Sequence, residues 1–313
     1  SILGSSFSWD ACGGGECIVE LFTKEQIMKK SLKLALAAVC FIAAGAFFMG
    51  CSSPSGGSNP YIGRKAPGTA LTVGDIIFND GSATPYSVID ARTDKQCTDA
   101  EKAAAIAVIF RVGDGTEGNK TLGFGIKFSD RAWCNDNAQG YDFVFSTENE
   151  SDGSKNLYTM AKELDENPTK SNDTGLNKVG ENYVLPEKDE TTGSDYLKLK
   201  TNYPAFEFAY YYGKNSNNNI ITGSKYETGW YLPSLSELND IYQANKSDGI
   251  IDKALDFTCG HMFSSNWYWS SSQFADDEMC ACLFIFGEGE WDCKYKGDDI
   301  YLVRAIRAFY YMW

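Results

Sequence analysis

The side chains able to do chemistry in this chain are few in kind. Histidine occurs once, as His261 in "CGHMFSS", so a multi-histidine metal site cannot be built. Any imidazole catalysis would rest on that one ring, which has no acidic residue near it in sequence; packing or a surface position is the expected role. Six cysteines follow Cys51: Cys97, Cys134, Cys259, Cys280, Cys282 and Cys293. In an exported chain they permit disulfides in fifteen connectivities, and spacing alone selects none. Cys280 and Cys282 cannot bridge each other without strain if their segment is a strand. A four-cysteine zinc site lacks any C-x-x-C knuckle.

Another cysteine suggests modification rather than catalysis. The run "MKKSLKLALAAVCFIAAGAFFMGCSS" has a basic start at Lys29 and Lys30, an apolar core over residues 32–49, and a Gly50-Cys51 end. That is the order of an export signal and not of a membrane-spanning helix. "Phe48-Met49-Gly50-Cys51" resembles the lipobox of bacterial lipoproteins, which implies diacylation of Cys51, cleavage before it, and a lipid anchor in a membrane. Residues 1–27 read as upstream leader, because Lys24-Glu25 can be encoded by a ribosome-binding sequence just before the Met28 codon. The expected organisation is leader 1–27, lipoprotein signal 28–50, acylated Cys51 with a flexible Gly- and Pro-rich tether over 51–70, and one folded domain over 71–313.

The elements that must position any site follow from patterning. The chain has 313 residues, 43% hydrophobic and 14% aromatic, enough to bury a full core. A formal charge of −14 argues against nucleic acid as a partner, since phosphate affinity comes from Lys and Arg. "GDIIFND" and "AIAVIFRVG" read as strands; "TLGFGIKFSD" is a weaker strand because two glycines interrupt it. Residues 135–194 are polar loop around a helical piece, "NLYTMAKEL", whose Leu157, Met160, Ala161 and Leu164 share a face. "YPAFEFAYYYG" reads as a helix with an early proline, ending near Gly213.

"GWYLPSLSELNDIYQA" carries the strongest local signal. Ser234 and Glu237 satisfy S-x-x-E, so each can cap the other's exposed amide, and Leu235, Leu238, Ile241 and Tyr242 form one apolar face. Then come "NWYWSSSQ", "CLFIFG", "EWDCKY" and "LVRAIRAFYY", short strand-like runs. Few strands, two helices and then many strands imply an α+β architecture, mainly antiparallel, without a doubly wound sheet.

"GWYLPSLSELNDIY", "YWSSSQ" and the terminal "VRAIRAF" together resemble the variable lipoproteins of Treponema diversity-generating retroelements, from about Leu71 to the C-terminus. The resemblance implies a C-type-lectin-like fold of the variant shared with formylglycine-generating enzymes. It also implies a variable region at about 264–309, where template AAY codons become NNY codons. Matched to that pattern, Phe274, Asp276, Asp277, Cys280, Leu283, Ile285, Asp292, Cys293, Tyr295, Gly297, Asp298 and Tyr301 are the expected variable, ligand-binding set. Trp269, Gln273, Trp291, Lys296, Arg304 and Arg307 are the expected frame. Glu278, Met279, Glu288, Glu290 and Lys294 depart from NNY coding, since that codon class encodes neither Glu, Met nor Lys.

Strand alternation places Phe284 and Phe286 inside, and Leu283 and Ile285 outside with Phe274 and Tyr295. Phe274, Leu283, Ile285, Asp292, Tyr295 and Asp298 are thus expected on one exposed face. The implied function is non-covalent binding of a host, bacterial or phage surface molecule by a lipoprotein of the outer membrane or cell surface, with no cofactor and no catalysis. An enzyme of the formylglycine-generating type is the rival on the same fold, through a copper-binding cysteine pair, yet its supporting active-site sequences are not evident. A calcium-dependent sugar site lacks its Glu-Pro-Asn, Gln-Pro-Asp or Trp-Asn-Asp ligands.

Overall fold

The computed structural model describes residues 59–309 except 115, 117, 118, 147–149, 215–220, 264, 265 and 298. The expected leader and export signal, Cys51 and Asp298 lie outside the described residues. The described chain is α+β, with short strands in two main sheets and seven α-helices where two helices and one further helical piece were expected.

The first sheet runs in the order β2 (Ala83–Thr84), β1 (Ile76–Phe78), β3 (Ala105–Arg111), β4 (Leu122–Gly125), β13 (Ile306–Ala308), β8 (Trp230–Tyr231). Its central strand β3 is the apolar run "AIAVIFR", buried for all but its last residue, as a strand covered on both faces must be. The two glycines of β4 do not break it. A Cβ at Gly125 would stand 2.3 Å from the Tyr212 ring and one at Gly123 would stand 2.8 Å from Phe309, so both positions admit an aromatic ring against bare backbone.

The second sheet has the order β11 (Glu290–Tyr295), β10 (Cys280–Ile285), β9 (Trp267–Gln273), β12 (Ile300–Val303), β5 (Ser129–Ala132). Only β9 and β12 pair in parallel among the described strands. A separate hairpin joins β6 (Asn177–Val179) and β7 (Asn182–Val184) within the polar insert.

Two helices lie between the sheets. α6 (Leu235–Lys246) contacts β3 of the first and β9 and β10 of the second; α5 (Pro204–Tyr210) contacts β8 of the first and β5 and β12 of the second. α6 begins as its sequence dictates: Ser234 Oγ accepts from the Glu237 amide at 3.2 Å, and Glu237 accepts from the Ser234 amide at 2.8 Å. α3 (Asn156–Glu166) buries Leu157, Met160, Ala161 and Leu164, the face its spacing predicts. The helices missed from sequence are α1 (Tyr86–Asp90), α2 (Asp99–Ala104), α4 (Ser194–Asn202) and α7 (Ile250–Phe257). Of these α2 carries its own legible signal, a capping box between Thr98 and Glu101.

Two further expectations need correction. Ordered contacts begin before Leu71: Lys65 forms an antiparallel bridge with Ala83, and its ammonium lies 2.6 Å from the buried Asp75 carboxylate. The second half of the expected tether is therefore docked on β2. The "LVRAIRAF" run is also not one strand but β12 and β13, one in each sheet.

Arg304 sits at the crossing. Its guanidinium donates to the carbonyls of Gly125, Ile126 and His261 at 3.0, 3.1 and 2.6 Å. It lies 4.6–5.8 Å from the ring centroids of Phe263, Phe124, Phe128 and Tyr268. A planar, always-charged fork with five donors suits such a place, where carbonyls and ring faces are the available partners.

Candidate functional site

The β9–β10–β11 ladder decides where each expected site residue points. β10 and β11 pair in register from Cys280 opposite Tyr295 to Ile285 opposite Glu290. Directly opposed residues share a face and neighbours along a strand alternate. One face therefore carries Tyr268, Phe284 and Trp291, then Cys282 with Cys293, then Cys280 with Tyr295. The other carries Trp267, Ile285 and Glu290, then Trp269, Leu283 and Asp292.

The expectation of one shared face is thereby overturned. Leu283 and Ile285 project opposite to Cys293 and Tyr295, and they are buried, at 0% and 7% exposure. β10 is an interior strand, and its two faces are both covered. On the first, Tyr242 of α6 reaches within 5.6 Å of the Phe284 ring. On the second, Tyr301 stacks on Trp267 at 5.5 Å and meets Trp269 edge-on at 5.1 Å. The Lys294 ammonium lies 5.6 Å from the Trp267 centroid, so its stem crosses over β10 at Leu283. Cys280 is buried as well.

Trp291 is the converse case. Expected as frame, it is 43% exposed, with Tyr295 at 47% and Met279 at 39%. The Phe274 ring, half-buried, stands 6.1 Å from Trp291. Asp276 is exposed and Asp277 half-buried in the turn between β9 and β10, where the Asp277 carbonyl accepts from the Cys280 amide at 3.0 Å. This edge of the sheet thus gathers Phe274, Asp276, Asp277, Met279, Trp291, Cys293 and Tyr295. Trp291 could have been found from sequence: in "EWDCKY" the period of two puts it with Cys293 and Tyr295, both already in the ligand-binding set.

The opposite face holds a smaller patch, Asp292, Lys294, Trp267 and Tyr301. Asp292 and Lys294 pair at 2.5 Å, and the contact holds the carboxyl below its usual range and raises the lysine. Tyr301 is raised by burial. Gly297 is half-buried, and a Cβ there would stand 3.0 Å from Asp136, so a larger residue needs Asp136 to give slightly.

Beneath the exposed edge the frame is rigid for identifiable reasons. The three serines of β9 are fully buried, and each is satisfied by a different element. Ser270 Oγ donates to the Cys282 carbonyl at 2.8 Å, Ser271 Oγ accepts from Asn156, and Ser272 Oγ accepts from the Leu235 amide at the start of α6. They lie where the β9–β10 register slips between Ala281 and Leu283; there the Ser270 side chain bonds across to β10, while Ser271 and Ser272 tie β9 to the neighbouring helices.

Gln273 accepts from the Phe145 amide at 2.9 Å and donates to the Phe143 carbonyl at 2.6 Å. Lys296, fully buried, donates to the carbonyls of Glu278, Gly140, Tyr141 and Phe143 at 2.6, 3.0, 3.0 and 3.1 Å. Burial lowers its ammonium to about 8. Gln273 and Lys296 thus bind the polar insert, and Lys296 also binds the β9–β10 turn. Trp269 is buried as frame; Arg307 is half-buried and donates to the carbonyls of Thr228 and Lys225.

His261 is exposed, its ring 4.5 Å from Phe128. Among the described residues no group of three or more His, Cys, Asp or Glu is placed to hold a metal ion, and no helix is long and apolar enough to cross a membrane.

No described protein family and no curated protein matches this chain. Among solved structures it is similar to a fimbrial protein from Bacteroides ovatus, with 14% identity over 76% of this chain and 49% of that one, at a TM-score of 0.43. The chain spans about half the length of that protein, and a likeness at this level carries no argument about activity.

Proposed function

We propose that this chain is a membrane-anchored lipoprotein displaying a C-type-lectin-like domain, whose β10–β11 edge binds ligands non-covalently through Phe274, Asp276, Asp277, Cys293 and Tyr295, renewed by a diversity-generating retroelement, set around the fixed Met279 and Trp291. The observation that carries the reading is the joint exposure of Met279, Trp291 and Tyr295 beside Phe274, on a hairpin pinned from below by Gln273 and Lys296. Large apolar side chains gathered on one surface mark a place where a partner covers them, and preorganised aromatic anchors concentrate binding energy. Of the expected set, Phe274, Asp276, Asp277, Cys293 and Tyr295 make this surface, joined by Trp291 and Met279. Asp292 and Tyr301 form a second patch, while Cys280, Leu283 and Ile285 support both. The partner is a host, bacterial or phage surface molecule, and Cys51 holds the protein at the outer membrane or cell surface.

The binding test compares capture from bacterial and host surface extracts by wild type, Trp291→Ala, Tyr295→Ala and Tyr301→Ser. The two β11 variants lose captured molecules at unchanged melting temperature, and equal capture by all four refutes the assignment of the face. Diversification requires a reverse transcriptase gene and a template repeat matching residues 268–309 in the flanking DNA; complete flanking sequence with neither removes it. The anchor requires palmitate labelling of protein expressed from Met28, lost in Cys51→Ser.

A further inference from the structure

Cys282 of β10 and Cys293 of β11 are direct register partners in an antiparallel ladder. Such partners have Cα atoms about 4.5–5.5 Å apart and side chains on one face. A disulfide needs Cα atoms about 4.4–6.8 Å apart with Cβ atoms facing each other. We infer that Cys282 and Cys293 close a cross-strand disulfide that staples the β10–β11 hairpin when the protein meets a disulfide oxidant. This rests on the register of the two strands and stands apart from the ligand-binding reading.

The neighbouring thiol does not compete. Cys280 is opposite Tyr295, hence diagonal to Cys293, at about 7–8 Å between Cα atoms where a bridge needs about 4.4–6.8 Å. Within β10, Cys280 and Cys282 stand side by side at about 6.6 Å with parallel Cβ vectors.

Access sets the order of events. Cys293 is half-buried and Cys282 wholly buried, so the Cys293 thiolate attacks one sulfur of the oxidant, and the first thiol leaves. Cys282 then attacks the Cys293 sulfur of the mixed disulfide and expels the second thiol. Two protein thiols lose two electrons and two protons, and the oxidant's sulfur–sulfur bond takes them up as two thiols. The closed loop contains the turn after Ile285, where the Gly289 amide donates to the Ile285 carbonyl at 2.8 Å, and it restrains Trp291 directly.

The full chain is incubated with oxidised glutathione, alkylated under denaturing conditions, digested without reduction and mapped by mass spectrometry. A peptide pair joining Cys282 to Cys293 is expected, retained in Cys280→Ser and absent in Cys293→Ser. Reduction should lower the melting temperature of oxidised wild type by on the order of 5 °C and leave that of Cys293→Ser unchanged. Full alkylation of both cysteines after oxidation, or linkage of Cys293 to any other cysteine, overturns the pairing. A Cys282–Cys293 link with no melting shift overturns the staple.

Discussion

Replacing Lys296 with methionine tests whether the buried ammonium, rather than its carbon stem, holds the site. Methionine keeps an unbranched chain beside Trp133, whose ring centroid lies 5.1 Å from the lysine nitrogen. It removes the donor shared by the carbonyls of Glu278, Gly140, Tyr141 and Phe143. Leaving these buried carbonyls without their shared donor costs on the order of 1–3 kcal/mol near neutral pH.

The more discriminating quantity is the pH dependence. Burial lowers Lys296 from its ordinary 10.5 to about 8, against weaker opposing pulls from Cys134, Cys280, Asp142 and Glu278. Between those values the unfolded chain binds more protons than the folded one, so stability rises with pH across the window. The full gap corresponds to about 3 kcal/mol, of which about 2 falls between pH 7 and pH 10. Urea unfolding of wild type and Lys296→Met at pH 7, 8, 9 and 10, under reducing conditions, should show the difference in stability widening by that amount. Taking the difference cancels the titration of buried tyrosines and thiols common to both proteins. Parallel stability curves would refute the claim that burial lowers the Lys296 ammonium.

Other perturbations separate frame from surface. Trp269→Ala should lose about 3–5 kcal/mol, because the indole is fully buried and its Nε1 donates to the Arg131 carbonyl at 3.1 Å. Trp291→Ala and Asp276→Asn should each stay within about 1 kcal/mol, as surface substitutions do, and equal melting losses for Trp269→Ala and Trp291→Ala would contradict the exposure of β11. Burial raises Glu237 from 4.5 to about 7, so the folded chain binds more protons than the unfolded one in between, and stability falls as pH rises through that range. Glu237→Gln should flatten this slope in thermal melts between pH 5 and pH 8; an unchanged slope would show that the carboxyl stays ionised inside the fold.

Local signals were complete in the sequence wherever the physics is local. The Ser234–Glu237 capping box and the spacing of Leu157, Met160, Ala161 and Leu164 depend on backbone donors and side chains within one or two turns, and the helices begin and face as those residues dictate. The Thr98–Glu101 box was equally legible but precedes a helix of only six residues, too short to show a periodic face. Tertiary structure decided what alternation cannot. A period of two tells which residues of β10 share a face but not whether that face meets solvent, and here Tyr242 covers one side while Trp267, Trp269, Tyr301 and the stem of Lys294 cover the other. Burial of Leu283 and Ile285, and exposure of Trp291 on the edge strand, follow from which strand is interior and which is terminal. That order is set by contacts between distant segments, as is the division of "LVRAIRAF" between two sheets at Arg304, whose partners come from residues 125, 126 and 261.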